Sequence, residues 1–187
     1  MALLSDKDMV LAYRNHQIDI IPWNSSQLQP ASYDLRLAGL FRYFRDWETQ
    51  REIDPKLAQE DSVLVSTQGE PYILGPGQFV LGSTFERVSL PDNIGARYEG
   101  KSSIGRLGLL THVTAGFIDP GFKGNITLEL YNLRNRPIAL YPGMRIGQIC
   151  FYDLTSRADK PYGHANNHYQ GQTGPVPSAV HAQFEGE

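Results

Sequence analysis

The chain has little cysteine, little excess charge and no long apolar run, and each shortage removes a class of function. Its single cysteine, Cys150, cannot close a disulfide within the chain or build a cysteine-based zinc site. Set between Ile149 and Phe151, it reads as a buried strand residue. A reducing, cytoplasmic setting is the expectation. No stretch approaches the roughly 20 apolar residues of a membrane span. The first eleven residues carry three charges and lack a long apolar centre, so neither a membrane segment nor a signal peptide is expected. With 17 Lys and Arg against 20 Asp and Glu, net −3, the chain lacks the basic excess of a nucleic-acid binder, although a pocket can still be locally positive. Among the 5 histidines (His16, His112, His164, His168 and His181) none begins His-x-Glu, and Pro-Cys-x-x-Cys is missing; one large class of zinc hydrolases needs both. Phosphoryl transfer on a P-loop is not expected, and the Gly-x-Ser-x-Gly elbow of serine hydrolases is absent.

What remains is a chain of 187 residues, enough for one well-buried domain. Ser5-Asp6-Lys7-Asp8 has the form of a capping box and predicts a short helix to about Asn15. After Pro22 the pattern turns β-rich, with strands expected over 33–37, 62–67, 78–86, 126–131 and 145–152. Turn chemistry separates them at Gly75-Pro76-Gly77, Pro91-Asp92-Asn93, Asp119-Pro120-Gly121 and Pro142-Gly143. Short strands at this spacing predict a mainly β fold, a barrel or jelly-roll with a few short helices. The charged stretch 42–59 reads as a surface excursion. From residue 156 onward apolar residues thin out, which divides the chain into a β domain, 1–155, and a C-terminal tail, 156–187. That tail is either disordered or a flexible lid, the second reading resting on Tyr162, His168, Tyr169 and Gln172.

Two segments carry chemistry. Lys101-Ser102-Ser103-Ile104-Gly105-Arg106 places two cations and two hydroxyls on one turn of chain. If the turn is helical, Ser102 and Arg106 share a face, and Ser102 has the character of an N-cap. In Ile126-Thr127-Leu128-Glu129-Leu130-Tyr131 the apolar residues share one face, while Thr127, Glu129 and Tyr131 share the other. That second face is either wet or lines a cleft, and in a cleft Glu129 becomes a candidate proton shuttle. Asp119, in a turn between the two segments, is a candidate ligand for a sugar hydroxyl or a water. His112 reads as a core or interface residue.

These segments resemble the dCTP deaminase family, a branch of the trimeric dUTPase superfamily. The resemblance runs through Gln29-Pro30-Ala31-Ser32-Tyr33-Asp34-Leu35-Arg36-Leu37, then the run from Lys101 to Leu109, then the run from His112 to Phe122, which leads into the Glu129 strand. It continues through Pro142-Gly143-Met144-Arg145-Ile146-Gly147-Gln148 and ends with Pro161-Tyr162 and Tyr169-Gln170-Gly171-Gln172. The resemblance implies a distorted β-barrel of dUTPase-like type, a homotrimer with active sites shared between neighbours, and deamination without zinc. It implies Glu129 as the proton shuttle, with Ser102 and the Ala115 carbonyl aligning the water and Arg106 stabilising the charge that develops. Lys101, Ser102, Ser103, Ile104, Gly105 and Arg106 would cradle the triphosphate and base, and Asp119 would hold the 3′-hydroxyl. Backbone groups of Thr127 and Leu128 would read the pyrimidine edge. Gln148, Tyr162, His168 and Gln172 would face the phosphates, Mg²⁺ would ride on the triphosphate, and dTTP would be a feedback inhibitor.

Within the family, the deaminase-only branch carries a bulky basic pair where this chain has Gly116-Phe117, as in the dUMP-forming branch. The implied reaction turns dCTP into dUMP, ammonia and pyrophosphate, with Gly116 leaving room for a second water that Asp119 could orient. The alternatives are deamination that stops at dUTP, a plain dUTPase, or a non-catalytic nucleotide-binding module. His168 stands where the family usually has lysine, so a permanent charge is replaced by one that titrates near neutrality.

Overall fold

The computed structural model describes residues 2–45, 52–58, 61–164 and 167–184. The helix Asp6–Arg14 forms as the capping box predicts. The Ser5 hydroxyl accepts from the Asp8 N–H at 3.3 Å and the Asp8 carboxylate accepts from the Ser5 N–H at 3.2 Å, while Met9 and Ala12 face the core. The rest is mainly β. One sheet runs in the order Phe117–Ile118, Ile94–Gly100, Arg145–Asp153, Ser32–Arg36, Leu28–Gln29, with Ala2–Leu3 paired to Arg145–Asp153. The other runs Leu109–Leu110, Lys123–Asn132, Phe79–Ser89, Leu40–Phe44, Ser62–Ser66, with Asp19–Ile21 paired to Phe79–Ser89. Tyr72–Leu74 and Ile138–Leu140 form a two-stranded ribbon, and every pairing is antiparallel.

The two large sheets share one core, to which Tyr33, Ile149 and Phe151 come from the first and Phe41, Val88, Leu128 and Leu130 from the second. They meet at the Leu37–Thr84 bridge but, among the described residues, do not run on into one closed barrel. All five expected strands are present within a few residues of their expected ends. The stretch 42–59 is not wholly an excursion, because residues 42–44 complete Leu40–Phe44, a strand hydrogen-bonded on both sides; residues 46–51 and 59–60 lie outside the described residues. Cys150 lies on a strand as expected, but half-buried.

Against the expectation that no P-loop motif is present, the run from Gly95 to Ser102 matches the spacing Gly-x-x-x-x-Gly-Lys-Ser letter for letter. The match carries no phosphate loop. Ile94–Gly100 is a sheet strand paired with Arg145–Asp153 along its length, and the helix after it spans Ser102–Gly105 alone.

Candidate active site

A cleft of about 420 Å³ opens beside the outer face of Lys123–Asn132. Along that strand burial alternates residue by residue: Ile126, Leu128 and Leu130 point into the core, while Thr127 and Glu129 stand on the opposite face and line the cleft. The second face of the strand is therefore a cleft wall. Glu129 is fixed there by backbone. Its Oε2 accepts from the Val113 N–H at 2.8 Å and the Thr114 N–H at 3.3 Å. Both bonds fall on one oxygen, and Oε1 has no hydrogen-bond partner among the described residues.

Ala115, Gly116, Phe117 and Asp119 form a second wall. The Asp119-Pro120-Gly121 turn closes through the Phe122 N–H on the Asp119 carbonyl at 3.2 Å, and the Pro120 carbonyl takes the Tyr162 N–H at 2.7 Å. Tyr162 then stands edge-on against Phe122, and burial pushes its phenol above the ordinary range. Gln172 also reaches the cleft, with its Nε2 donating to the Asn125 carbonyl at 2.6 Å and its own carbonyl accepting the Asn125 N–H at 3.0 Å. Arg42 holds the next stretch of tail, donating to the Pro175 carbonyl at 3.2 Å. His168 is exposed, beside the Tyr169 ring.

The remaining predicted residues lie elsewhere: none of residues 101–106, nor Gln148, lines this cleft. Ser102, Ser103, Gly105 and Arg106 are exposed, while Ile104 is buried. Ser102 is not the N-cap. Lys101 holds that position with extended backbone (φ −99°, ψ 131°) and no side-chain cap, which makes Ser102 the first helical residue. The Lys101 ammonium sits 2.5 Å from Asp34, a carboxylate only 1% exposed that also takes an Arg145 N–H at 3.2 Å. Gln148 accepts from the Ser32 hydroxyl at 2.8 Å and donates to the Gly100 carbonyl at 3.2 Å.

Gly116 lines the cleft with no room for a side chain. A Cβ at that position would lie 2.7 Å from the Tyr98 carbonyl oxygen and 3.0 Å from the His112 ring. The glycine serves a close backbone approach. Gly116→Ala is accordingly expected to cost about 1–3 kcal/mol of stability, measured by thermal unfolding; an unchanged midpoint would contradict that reading.

Sequence reasoning missed the backbone donors of Val113 and Thr114, which no residue-type pattern reveals. It also missed the stacked Phe44 and Phe79 rings, 5.6 Å apart, that line the cleft. Exposed Leu110, Val113, Leu133 and Phe79 surround a further hollow that reaches Glu129. Among the described residues no three His, Cys, Asp or Glu side chains converge to hold a metal ion.

The fold has a solved counterpart. A 2′-deoxycytidine 5′-triphosphate deaminase from Agrobacterium tumefaciens superposes with a TM-score of 0.59 at 24% identity, covering 80% of this chain and 47% of that one. That places the architecture in a class of β-sheet folds that includes a nucleotide deaminase. The family follows from the sequence: the dCTP deaminase-like model matches residues 3–154, and the chain belongs to that family. A dUMP-forming dCTP deaminase of Rhodococcus erythropolis is 53% identical over 186 residues, 97% of this chain and 98% of that protein. One from Mycobacterium tuberculosis is 52% identical over 97% of both chains.

Proposed function

We propose that the chain deaminates dCTP and hydrolyses the triphosphate in the same site, giving dUMP, ammonia and pyrophosphate. The observation that carries the reading is Glu129, a carboxylate on the cleft wall with Oε2 tied to two backbone N–H groups and Oε1 open. In the reaction Glu129 takes a proton from water as its oxygen adds to C4 of cytosine, and passes it to the ring N3. It then takes the proton of the added hydroxyl and gives it to the amino group, so that the C4 carbonyl forms, the C–N bond breaks and ammonia leaves. Ala115 supplies a carbonyl on the same cleft to align the water, and Asp119 holds the 3′-hydroxyl. The carboxylate is placed before the substrate arrives, so positioning supplies much of the barrier reduction.

Ser102 and Arg106 are needed to complete this chemistry, and they come from a second copy of the chain. Three observations support that reading: they are exposed, they are absent from the cleft, and an exposed apolar rim surrounds Glu129. The assembly is a homotrimer with each site shared between neighbours. Lys101 and Gln148 reach the triphosphate from that second copy. Mg²⁺ arrives on the triphosphate, held mainly by phosphate oxygens and water. The tail from residue 156 acts as a lid, with Tyr162, His168 and Gln172 reaching the phosphates, and dTTP competes as an inhibitor.

Product analysis tests the reaction. With dCTP and Mg²⁺, ammonia and pyrophosphate should appear in equal amounts, with dUMP as the nucleotide product. Persistent dUTP, with no pyrophosphate, would make the chain a deaminase only. The dUMP-forming reading is supported by the similarity to the dUMP-forming relatives. His168 gives a separate prediction. His168→Lys sets a permanent cation facing the phosphates, so KM for dCTP should fall; an unchanged KM would contradict the role.

A further inference from the structure

Tyr98 is buried and has no place in the chemistry above, yet it touches both ends of the loop that holds Glu129. It lies on Ile94–Gly100, 1% exposed, and its phenol fills the space a Cβ at Gly147 would occupy. At one end of the loop, its ring stands edge-on to His112 at 5.5 Å, and the Thr111 hydroxyl lies beside its own. At the other end, its N–H donates to the Gly116 carbonyl at 2.7 Å. The phenol oxygen is buried with no hydrogen-bond partner in good geometry among the described residues. Burial drives that phenol well above its ordinary range, and Thr111 acts in the opposite direction. A buried hydroxyl left unpaired costs stability, so the ring earns its place by what it packs against.

We infer that Tyr98 is a positioning residue for the proton shuttle: it clamps Thr111, His112 and Gly116, so that the Val113 and Thr114 N–H groups between them hold the Glu129 carboxylate at one angle. The inference rests on Glu129 being the shuttle. The titratable groups around Glu129 are Asp119, Tyr98, Tyr162 and Tyr169 in the cleft, Tyr131 on the same strand face and His112 on the loop.

The test compares kcat per folded site and KM in Tyr98→Leu and Tyr98→Phe. Leucine removes the ring while keeping an apolar core residue. The expected result is a fall in kcat of about ten- to a hundredfold, as for a displaced catalytic group, with KM for dCTP changed less than about threefold. Tyr98→Phe keeps the ring and should recover most of kcat. A reduced folded fraction with unchanged kcat per folded site would make Tyr98 mere core filling and overturn the inference. Should Tyr98→Leu fail to fold, His112→Ala removes the loop's side of the ring contact and is read the same way: a fall in kcat with KM kept supports the clamp, an unchanged kcat overturns it. Glu129→Gln separates the two ideas. If that variant is dead and kcat is unchanged in the others, the clamp alone fails; if it remains active, the shuttle assignment fails.

Discussion

Glu129→Gln should abolish deamination while leaving dCTP binding nearly intact. The loss expected for removing a general acid–base group is about 10²–10⁴-fold in kcat. Glutamine keeps the shape and can still accept the Val113 and Thr114 N–H groups through its carbonyl oxygen, so the cleft wall should hold. It cannot take a proton from water or deliver one to the ring. Binding, followed by calorimetry with dCTP, should change by no more than a few-fold, because the carboxylate is proposed to act on the reacting atoms rather than on the phosphates. A variant that still releases ammonia at the parent rate would remove Glu129 from the centre of the mechanism.

Asp34→Ala should be the most damaging substitution for stability. The carboxylate is 1% exposed and faces the Lys101 ammonium at 2.5 Å and Arg145 at 3.2 Å. Removing one partner of a buried pair typically costs about 3–5 kcal/mol, because the other charge is left without compensation. Lys101 is partly exposed and Arg145 more so, and water will screen both, which points to the lower end of that range. For a chain of this size the thermal midpoint should then fall by roughly 10 °C. Asp34→Ala combined with Lys101→Met removes the stranded ammonium and should regain part of the loss, a coupling that a double-mutant cycle would measure. Additive losses would mean that the pair does not act as a unit.

The parts of the site that were legible in the sequence depend on side-chain periodicity and turn chemistry. Alternation from Ile126 to Tyr131 put Glu129 opposite the core, and Asp119-Pro120-Gly121 declared its turn. Other parts were hidden because backbone carries them. The Val113 and Thr114 donors belong to peptide groups, and the Ser102 cap failed because Lys101 takes the extended residue before the helix. Ile94–Gly100 was missed because two glycines and alternating charges mask a strand that is nonetheless covered on both sides by neighbours. Gly116 was read as an absence of bulk, and the close approach of the Tyr98 carbonyl and the His112 ring that the absence permits is visible only in space. Each of these errors concerns what lies across from a residue in space, which one-dimensional spacing does not encode.

The shared site is the claim on which the mechanism turns, and mixing two inactive variants tests it most directly. Glu129→Gln and Arg106→Ala subunits, each inactive alone, would be co-expressed in equal amounts and the mixed assemblies assayed with dCTP. If each site draws Glu129 from one copy and Arg106 from its neighbour, random mixing leaves both intact at about a quarter of the sites, and activity should recover to about that fraction of the unmodified protein. Activity no higher than that of the separate variants would contradict a site assembled between copies.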